Sequence, residues 1–493
     1  MGSNSSHSNN PPLSNDKVPL LTKIIYGTGD WGMASFNTVR QIFYLIFLTD
    51  VVGLKPGLAS FAVLAGIIWD AINDPIIGAL SDRVKTRWGR RRPFLLIFAI
   101  PFGFAFVMLW WTPPWESQIA LMIHVALAYM ITDTLQTLIT VPFLSLTPEM
   151  TEDYDERTSL TTFRMFFNLM ASLAAAAGAP AIVDMAPTPQ QGYLLMASIF
   201  GALGALPFLT MFFVTREREE HAELPTPEIR DSLKAAWNNK PFRIATAINV
   251  LNWVTFDLIG LMLPFFLTYW VEGGVQRSNM TIPVLGTLPF ESVVFLVLMT
   301  TAIAALPIWT WLARHWNKRN AYIVGMLFWA VVQLLIITIQ PGQRTYILTL
   351  TFLAGISVST AHVLPEALFP DVVEWDELMT GRRREGTYYG LKTFIRKITS
   401  AGAIFLASQV LALSNYRSPT AQAAVFQQSP ETLLAIRILT GPAGTVFLIG
   451  AIVTAFFYPV SREKHARMRR LLARQRAMQA KNHPISPAPK KAQ

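Results

Sequence analysis

Apolar runs of about 20 residues, the length an α-helix needs to cross the hydrocarbon core of a bilayer, recur along this chain almost from end to end. Inside lipid a segment must satisfy its own backbone N–H and C=O groups, so such runs fold as helices. They fall at residues 24–48, 57–80, 93–111, 118–141, 161–183, 193–214, 243–271, 288–312, 320–340, 345–369, 389–413 and 432–458. Twelve spans put both termini on one side of the membrane. Composition agrees with an all-α membrane protein. Of 493 residues 52% are hydrophobic and 15% charged, against roughly 25% charged in soluble globular chains.

The formal net charge is +10 and the pI about 9.7. In a soluble chain this would raise nucleic acid as a partner. Here the basic residues sit between spans, where the positive-inside rule accounts for them, and no nucleic-acid partner is expected. Six Lys or Arg lie in Ser81–Pro93, six in Thr215–Arg243 and ten after Ser461. Arg314, Lys318 and Arg319 follow the eighth span, and Arg382, Arg383 and Arg384 the tenth. The alternate loops hold at most one each, at Lys55, Arg277, Arg344 and Arg417. Both termini are therefore expected in the cytoplasm, on a multi-pass protein of the cell membrane. The first 20 residues, rich in Asn, Ser and Pro, read as a disordered tail without the apolar core of a signal peptide. The first span then serves as an uncleaved insertion signal. The absence of cysteine excludes disulfides, thiolate metal sites and Cys nucleophiles.

A polar stretch with Glu217-Arg-Glu-Glu220, Pro225 and Pro227 divides the chain into six spans and six. The expected organisation is a tail at 1–20, a six-helix bundle at 21–214, a cytoplasmic linker at 215–242, a second bundle at 243–460 and a basic tail at 461–493. Two bundles built from a repeat are the layout of the major facilitator fold. An internal echo agrees with it: Gly78-Ala-Leu-Ser-Asp82-Arg83-Val-Lys-Thr-Arg-Trp-Gly-Arg-Arg-Arg92 follows span two, and Trp311-Leu-Ala-Arg314-His-Trp-Asn-Lys-Arg319 follows span eight. The tail from Ser461 to Ala480 reads equally as a basic amphipathic helix on the membrane or as a solvated segment.

An ionisable side chain inside a span is expensive and marks function by default. This chain carries Asp30, Arg40, Asp70, Asp74, His124, Asp133, Arg164, Asp257, His362, Glu366 and Lys397 at such places. Asp70 and Asp74, four residues apart, share a helix face, with Asn73 beside them. Two carboxylates in low dielectric repel, so the pair takes up a proton or holds a cation. Hard oxygen ligands suit Na⁺ or H⁺. The plainer reading is a pair of helix-end acids bonded to a neighbouring Arg.

Tyr26-Gly-Thr-Gly29, Thr49-Asp-Val-Val-Gly-Leu54, Trp69-Asp-Ala-Ile-Asn-Asp-Pro75, Arg87-Trp-Gly89 and Pro142-Phe-Leu-Ser-Leu-Thr-Pro148 resemble motifs of the glycoside–pentoside–hexuronide:cation symporters. Asp371-Val-Val-Glu-Trp-Asp376 and Glu385-Gly-Thr-Tyr-Tyr-Gly-Leu-Lys-Thr393 extend the likeness into the second half. The resemblance implies a cation site at Asp70, Asn73, Asp74 and Thr137, linked to Lys397, with a metal at Asp70 and Asp74 where the ion is Na⁺. The family's sugar carboxylates and Trp fall here on Ala34, Thr140 and Leu144, whereas its fifth-helix Arg is kept as Arg164. A galactoside is therefore not the expected solute.

Arg40 lies deep in span one, and a buried guanidinium needs a partner. Asp30, almost three turns away, is too far. Asp133 on span four is one candidate. The other reading turns Arg40 toward a cavity, where with Arg164 it grips a carboxylate, sulfonate or phosphate. Trp253, near Asn249, Asn252 and Asp257, suggests a cavity-lining face on span seven. Thr140, His362 and Lys392 complete the solute candidates. Phe36, Phe43, Tyr44, Tyr269 and Trp270 read as stacking residues or, more commonly, as interfacial belts. Asp82, Arg83, Arg90 and Arg91 resemble the signature loop of major facilitators, whose charges gate the cytoplasmic side. Asp371, Glu374 and Asp376 beside Arg382–Arg384 would supply the matching network.

The expected function is symport of a small glycoside, uronide or related sugar-like solute, including an anionic one, with Na⁺ or H⁺. No cofactor is implied, and a monomer in the lipid bilayer suffices. A carrier of a lysophospholipid-like amphiphile is one rival, and a non-transporting sensor or scaffold another. The sequence has no nucleophile–base motif, phosphate loop or HExxH spacing, so no enzyme is expected.

Overall fold

The computed structural model describes residues 17–84, 86–89, 91–151, 154–215, 236–275, 277–283, 285–316, 318–366, 368–380, 385–419 and 425–460, with 463–464, 467–468, 470–472 and 474 of the tail. Most of the expected linker and tails lie outside these residues, as do Arg90 and Arg382–Arg384 and the side chains of Asp82, Arg83, His362 and Glu366.

The first half contains α1 (Leu20–Gly27), α2 (Gly29–Ile46), α3 (Pro56–Arg83), α4 (Arg92–Leu109), α5 (Gln118–Met150), α6 (Tyr154–Asp184) and α7 (Pro189–Val214). The second contains α8 (Lys240–Phe265), α9 (Phe290–His315), α10 (Lys318–Leu335), α11 (Arg344–Glu366), α12 (Phe369–Thr380), α13 (Glu385–Leu413), α14 (Pro430–Thr440) and α15 (Pro442–Phe456). Prolines open α3, α4, α7, α8, α14 and α15, at the turn whose N–H groups have no helical partner. Side-chain caps from Ser117, Thr188, Asn239 and Ser429 satisfy some of the others.

Ten spans among the described residues are long and apolar enough to cross a membrane. The broken α1–α2 and the Thr- and Ser-bearing α11 pack with them and complete twelve. The two halves repeat one packing scheme. In the first, α3 lies against α5, α2 against α6 and α4 against α7; in the second, α9 lies against α11, α8 against α13 and α10 against α15. Between halves, α3 meets α13, α6 meets α9, and α2 meets α8. Small residues allow the closest approaches: a Cβ at Gly32 would stand 2.5 Å from the Gly204 carbonyl oxygen, so α2 and α7 touch backbone to backbone.

The first spans of the two halves end alike. Phe47-Leu-Thr-Asp-Val51 and Phe266-Leu-Thr-Tyr-Trp-Val271 both close as π-turns, with Val52 N–H bonding to the Phe47 carbonyl and Glu272 N–H to that of Leu267. A short hairpin follows the second, β1 (Asn279–Ile282) pairing antiparallel with β2 (Gly286–Pro289). The apolar pattern gave no sign of this hairpin. The aromatics expected as interfacial belts are largely core instead: Phe36 stacks on Phe106 at 3.9 Å, and Tyr44 meets Trp110 edge-on at 5.3 Å. Each fills space between helices of one half, which an amphipathic belt reading overlooks.

Candidate cation and solute site

The helical spacing of four delivers Asp70 and Asp74 to the face of α3 that meets α13. Lys397 of α13 reaches both. Its ammonium lies 2.6 Å from an Asp70 carboxylate oxygen and is also bonded to Asp74. Thr137 of α5 donates its hydroxyl to the other Asp74 oxygen at 2.9 Å. Asn73 is buried on the same stretch, its side-chain nitrogen without a hydrogen-bond partner. Trp69 anchors the region by donating to Thr134 at 2.9 Å. Residues from both halves thus meet around two carboxylates, and Asp74 keeps 36% of its side chain accessible.

Three further ion pairs lie inside the helix bundle. Arg40 is paired with Asp133 and stands 4.7 Å over the Tyr129 ring. Arg164 pairs with Asp30 at 2.6 Å and lies 4.9 Å over Phe143. Of the two readings of Arg40, the pair with Asp133 is the arrangement found, and Arg164 is likewise closed by Asp30, because an isolated buried charge is far costlier than a paired one. The third pair joins Arg396 to Asp257 at 2.8 and 3.0 Å. Asp257 also accepts from Gln41 of the opposite half at 2.7 Å, and Arg396 lies 4.2 Å over the Trp253 ring.

Arg396, Gln41, Asn37 and Gln136 escaped the sequence reading. Asn37 is exposed in the middle of α2, and its amide oxygen accepts from Arg40 at 3.3 Å and from Gln136 at 3.2 Å. The signal was available: positions 37, 40 and 41 are polar within an apolar run and lie on one face. Thr140 turns to Met33, its hydroxyl 3.1 Å from the sulfur. Lys392 lies over the rings of Phe369 and Tyr389, at 4.5 and 5.7 Å.

Of the gating residues, Arg91 donates to Ser81 at 2.7 Å. Asp371 is bound by Lys318 at 3.0 Å, within the second half. Glu374 is half-buried. Asp82, Arg83, Arg90 and the Arg382–Arg384 side of the expected network lie outside the described side chains.

At the end distal to the N-terminus the halves are also joined. The Asp50 carboxylate accepts hydrogen bonds from Tyr269 and Tyr416 of the second half and from Thr49 at 2.7 Å. Gln409 donates to Ser60 at 3.0 Å, Phe61 meets Phe405 edge-on at 5.4 Å, and Arg277 donates to the Ala186 carbonyl at 2.9 Å. A cavity of about 510 Å³ at this end is lined by residues including Phe43, Asp50, Tyr193 and Glu291. The ion-paired layer lies deeper, and there the two repeats meet around charge.

Twelve helices in two repeats, with charged groups held at their interface, define a secondary transporter of the major facilitator type. The family model described as MFS/sugar transport protein matches residues 25–462, and the chain belongs to that family. An uncharacterized symporter of Synechocystis is 30% identical, over 96% of this chain and 99% of that one. A putative glycoside/cation symporter of Escherichia coli is 27% identical, over 95% and 98%. A sodium-dependent lysophosphatidylcholine symporter of Danio rerio is 24% identical, over 91% and 87%. Among solved structures, a bacterial homolog of the lysosomal transporter Spinster, inward-facing, superposes with a TM-score of 0.62 at 14% identity, over 95% of this chain and 98% of that one; at that identity the likeness concerns the fold.

Proposed function

We propose that this chain carries a sugar-like solute, a small glycoside or uronide, into the cell together with Na⁺ or H⁺. The observation that carries the reading is the contact of Lys397 with both Asp70 and Asp74 across the interface between halves. The ammonium takes the place against the two carboxylates that a coupling cation would take. Asp70, Asp74, Thr137 and the Asn73 amide supply the hard oxygens such an ion needs. Exchange of the tethered ammonium for a free cation alters the link between α3 and α13, which moves when the bundles rock. Coupling requires only that cation and solute each bind better when the other is present.

In this reading the termini and the linker at 215–242 face the cytoplasm, the distal Asp50 cluster is the outer closure, and the carrier works as a monomer in the cell membrane without a cofactor. The polar stripe of Asn37, Arg40 and Gln41 in the middle layer favours a hydroxyl-rich solute over an acyl chain, and so the sugar reading over the lysolipid one.

Uptake into proteoliposomes under an imposed Na⁺ or H⁺ gradient tests the proposal. Labelled glycosides, uronides and lysolipids are offered in turn. Accumulation of a glycoside or uronide that collapses with the gradient is expected. Equal uptake with and without both gradients would remove the symport reading, and accumulation of lysolipid alone would replace the sugar.

A further inference from the structure

The family resemblance places solute carboxylates on the first and fourth spans, where this chain has Ala34 and Thr140. The structure brings a carboxylate from the opposite side. Asp257 of α8 enters the interface with 1% of its side chain exposed, held by Arg396 at 2.8 and 3.0 Å and by Gln41 at 2.7 Å. The half-buried indole of Trp253 lies under that guanidinium. Asn37, one turn from Gln41, is exposed in the same layer. Sites for small ligands combine apolar or aromatic walls with a few placed polar groups. Here the exposed Asn37 amide and the half-buried Gln41 stand beside the Arg396 guanidinium, which the buried Asp257 holds in place, a mixture of acceptors and donors that sugar hydroxyls satisfy. The indole offers an apolar face to a pyranose or furanose ring.

Charge narrows the solute further. Among the described side chains the middle layer holds Arg40, Arg396 and Lys397 against Asp70, Asp74, Asp133 and Asp257, each cation already in an ion pair. With these four acids ionised, the named groups carry one negative charge in excess. One coupling cation balances it. Lys392, about one turn before Arg396 on α13, is engaged by the rings of Phe369 and Tyr389. An anionic solute would add a second negative charge in low dielectric without a cation to meet it.

We propose that Asn37, Gln41, Trp253, Asp257 and Arg396 form a solute subsite shared by the two halves, and that it takes an uncharged glycoside in preference to a uronide or sulfonated sugar. This rests on the symport reading above and names its substrate class.

The test measures gradient-driven uptake of the methyl glycosides of xylose, glucose and galactose, and of methyl glucuronide, by the full chain in proteoliposomes. The wild type takes up at least one neutral glycoside with a KM about tenfold or more below that for the uronide. Trp253→Ala and Asn37→Ala raise the neutral KM by about tenfold, the scale of a lost hydrogen bond or ring contact, and leave the cation dependence of uptake in place. Asp257→Asn uncovers Arg396, so uronide uptake rises as neutral uptake falls. A change of preference is a readout that a merely structural pair would not give. Should Asp257→Asn fail to insert, Trp253→Ala and Asn37→Ala decide the matter alone. A wild type preferring the uronide, or unchanged KM values in those two variants, overturns the subsite while symport stands. No gradient-driven uptake of any glycoside overturns both.

Discussion

Two layers tie the halves of this molecule together, and they do so with different chemistry. In the middle, Lys397 bridges to Asp70 and Asp74, and Gln41 reaches the Asp257–Arg396 pair. At the distal end, phenol hydroxyls of Tyr269 and Tyr416 bind the Asp50 carboxylate, and amide meets hydroxyl between Gln409 and Ser60. The distal links to the buried Asp50 and Ser60 are hydrogen bonds from neutral donors, and the charged donor at that end, Arg277, is an exposed side chain on the Ala186 carbonyl and Asp184. The middle link contains an ammonium, a group that a small cation can displace. Neutral donors on a buried carboxylate hold two bodies together; an ammonium tethered between two carboxylates also lets a second cation decide whether they are held. The distal layer is thus suited to closure and the middle layer to coupling.

The largest expected effect comes from removing the charge that makes the layers unlike. Asp70→Ala or Asp74→Ala abolishes gradient-driven accumulation, a loss of about 100-fold or more, because the carboxylate that exchanges the Lys397 ammonium for the coupling cation is gone. Membrane insertion and monodispersity stay normal. The measurement is solute accumulation in proteoliposomes at equal protein content. If both variants concentrate solute like the wild type, the middle layer is no different in role from the distal one.

Lys397→Gln sharpens the same contrast with the opposite sign. It removes the tethered competitor while keeping the carboxylates, so the coupling cation binds more tightly, by about tenfold for one lost charge-assisted contact. Net accumulation falls because the empty carrier has lost its own counter-charge. Cation-dependent thermal shifts of the purified variant report the affinity. A weaker cation response would show that Lys397 assists binding rather than competing with it.

The fold was legible because twelve apolar runs and a loop-charge asymmetry need no tertiary information. The cation carboxylates were legible for a related reason: a spacing of four on a helix fixes their shared face before any packing occurs. What depends on the partner across the interface was not legible. The mate of Arg164 is Asp30, 134 positions away, and Arg396 was passed over although Lys397 beside it was not. The two point to different neighbours, Asp257 and the Asp70–Asp74 pair. No one-dimensional pattern distinguishes adjacent cations that serve different sites. The π-turn ends of α2 and α8 left a trace in Phe47-Leu-Thr49 and Phe266-Leu-Thr268, an echo that a search for internal repeats would find.

The distal layer is expected to give a smaller and purely conformational effect. Replacing both Tyr269 and Tyr416 by Phe deletes two hydrogen bonds to Asp50 and weakens closure by roughly 1–3 kcal/mol per bond. Since the chain has no native cysteine, spin labels at Lys55→Cys and Leu413→Cys, both exposed at this end, report the separation without background. The distance distribution should broaden toward longer values, with cation affinity unchanged. A cation affinity that moves with the distal distance would mean that the two layers are not separable.

The smallest effect should come from within one half, where neither layer is touched. Gly32→Ala would set a methyl group 2.5 Å from the Gly204 carbonyl oxygen. The obstacle is backbone rather than a flexible side-chain tip, so α2 and α7 must separate. Overpacking of this kind typically costs about 1–3 kcal/mol. Thermal stability in detergent should drop, while the ratio of gradient-driven to equilibrative uptake stays at the wild-type value, because α2 and α7 belong to one rocking body. Loss of coupling at unchanged stability would show instead that the α2–α7 contact passes strain to Asn37 and Gln41 further along α2, and that the middle layer reaches into the first bundle's core.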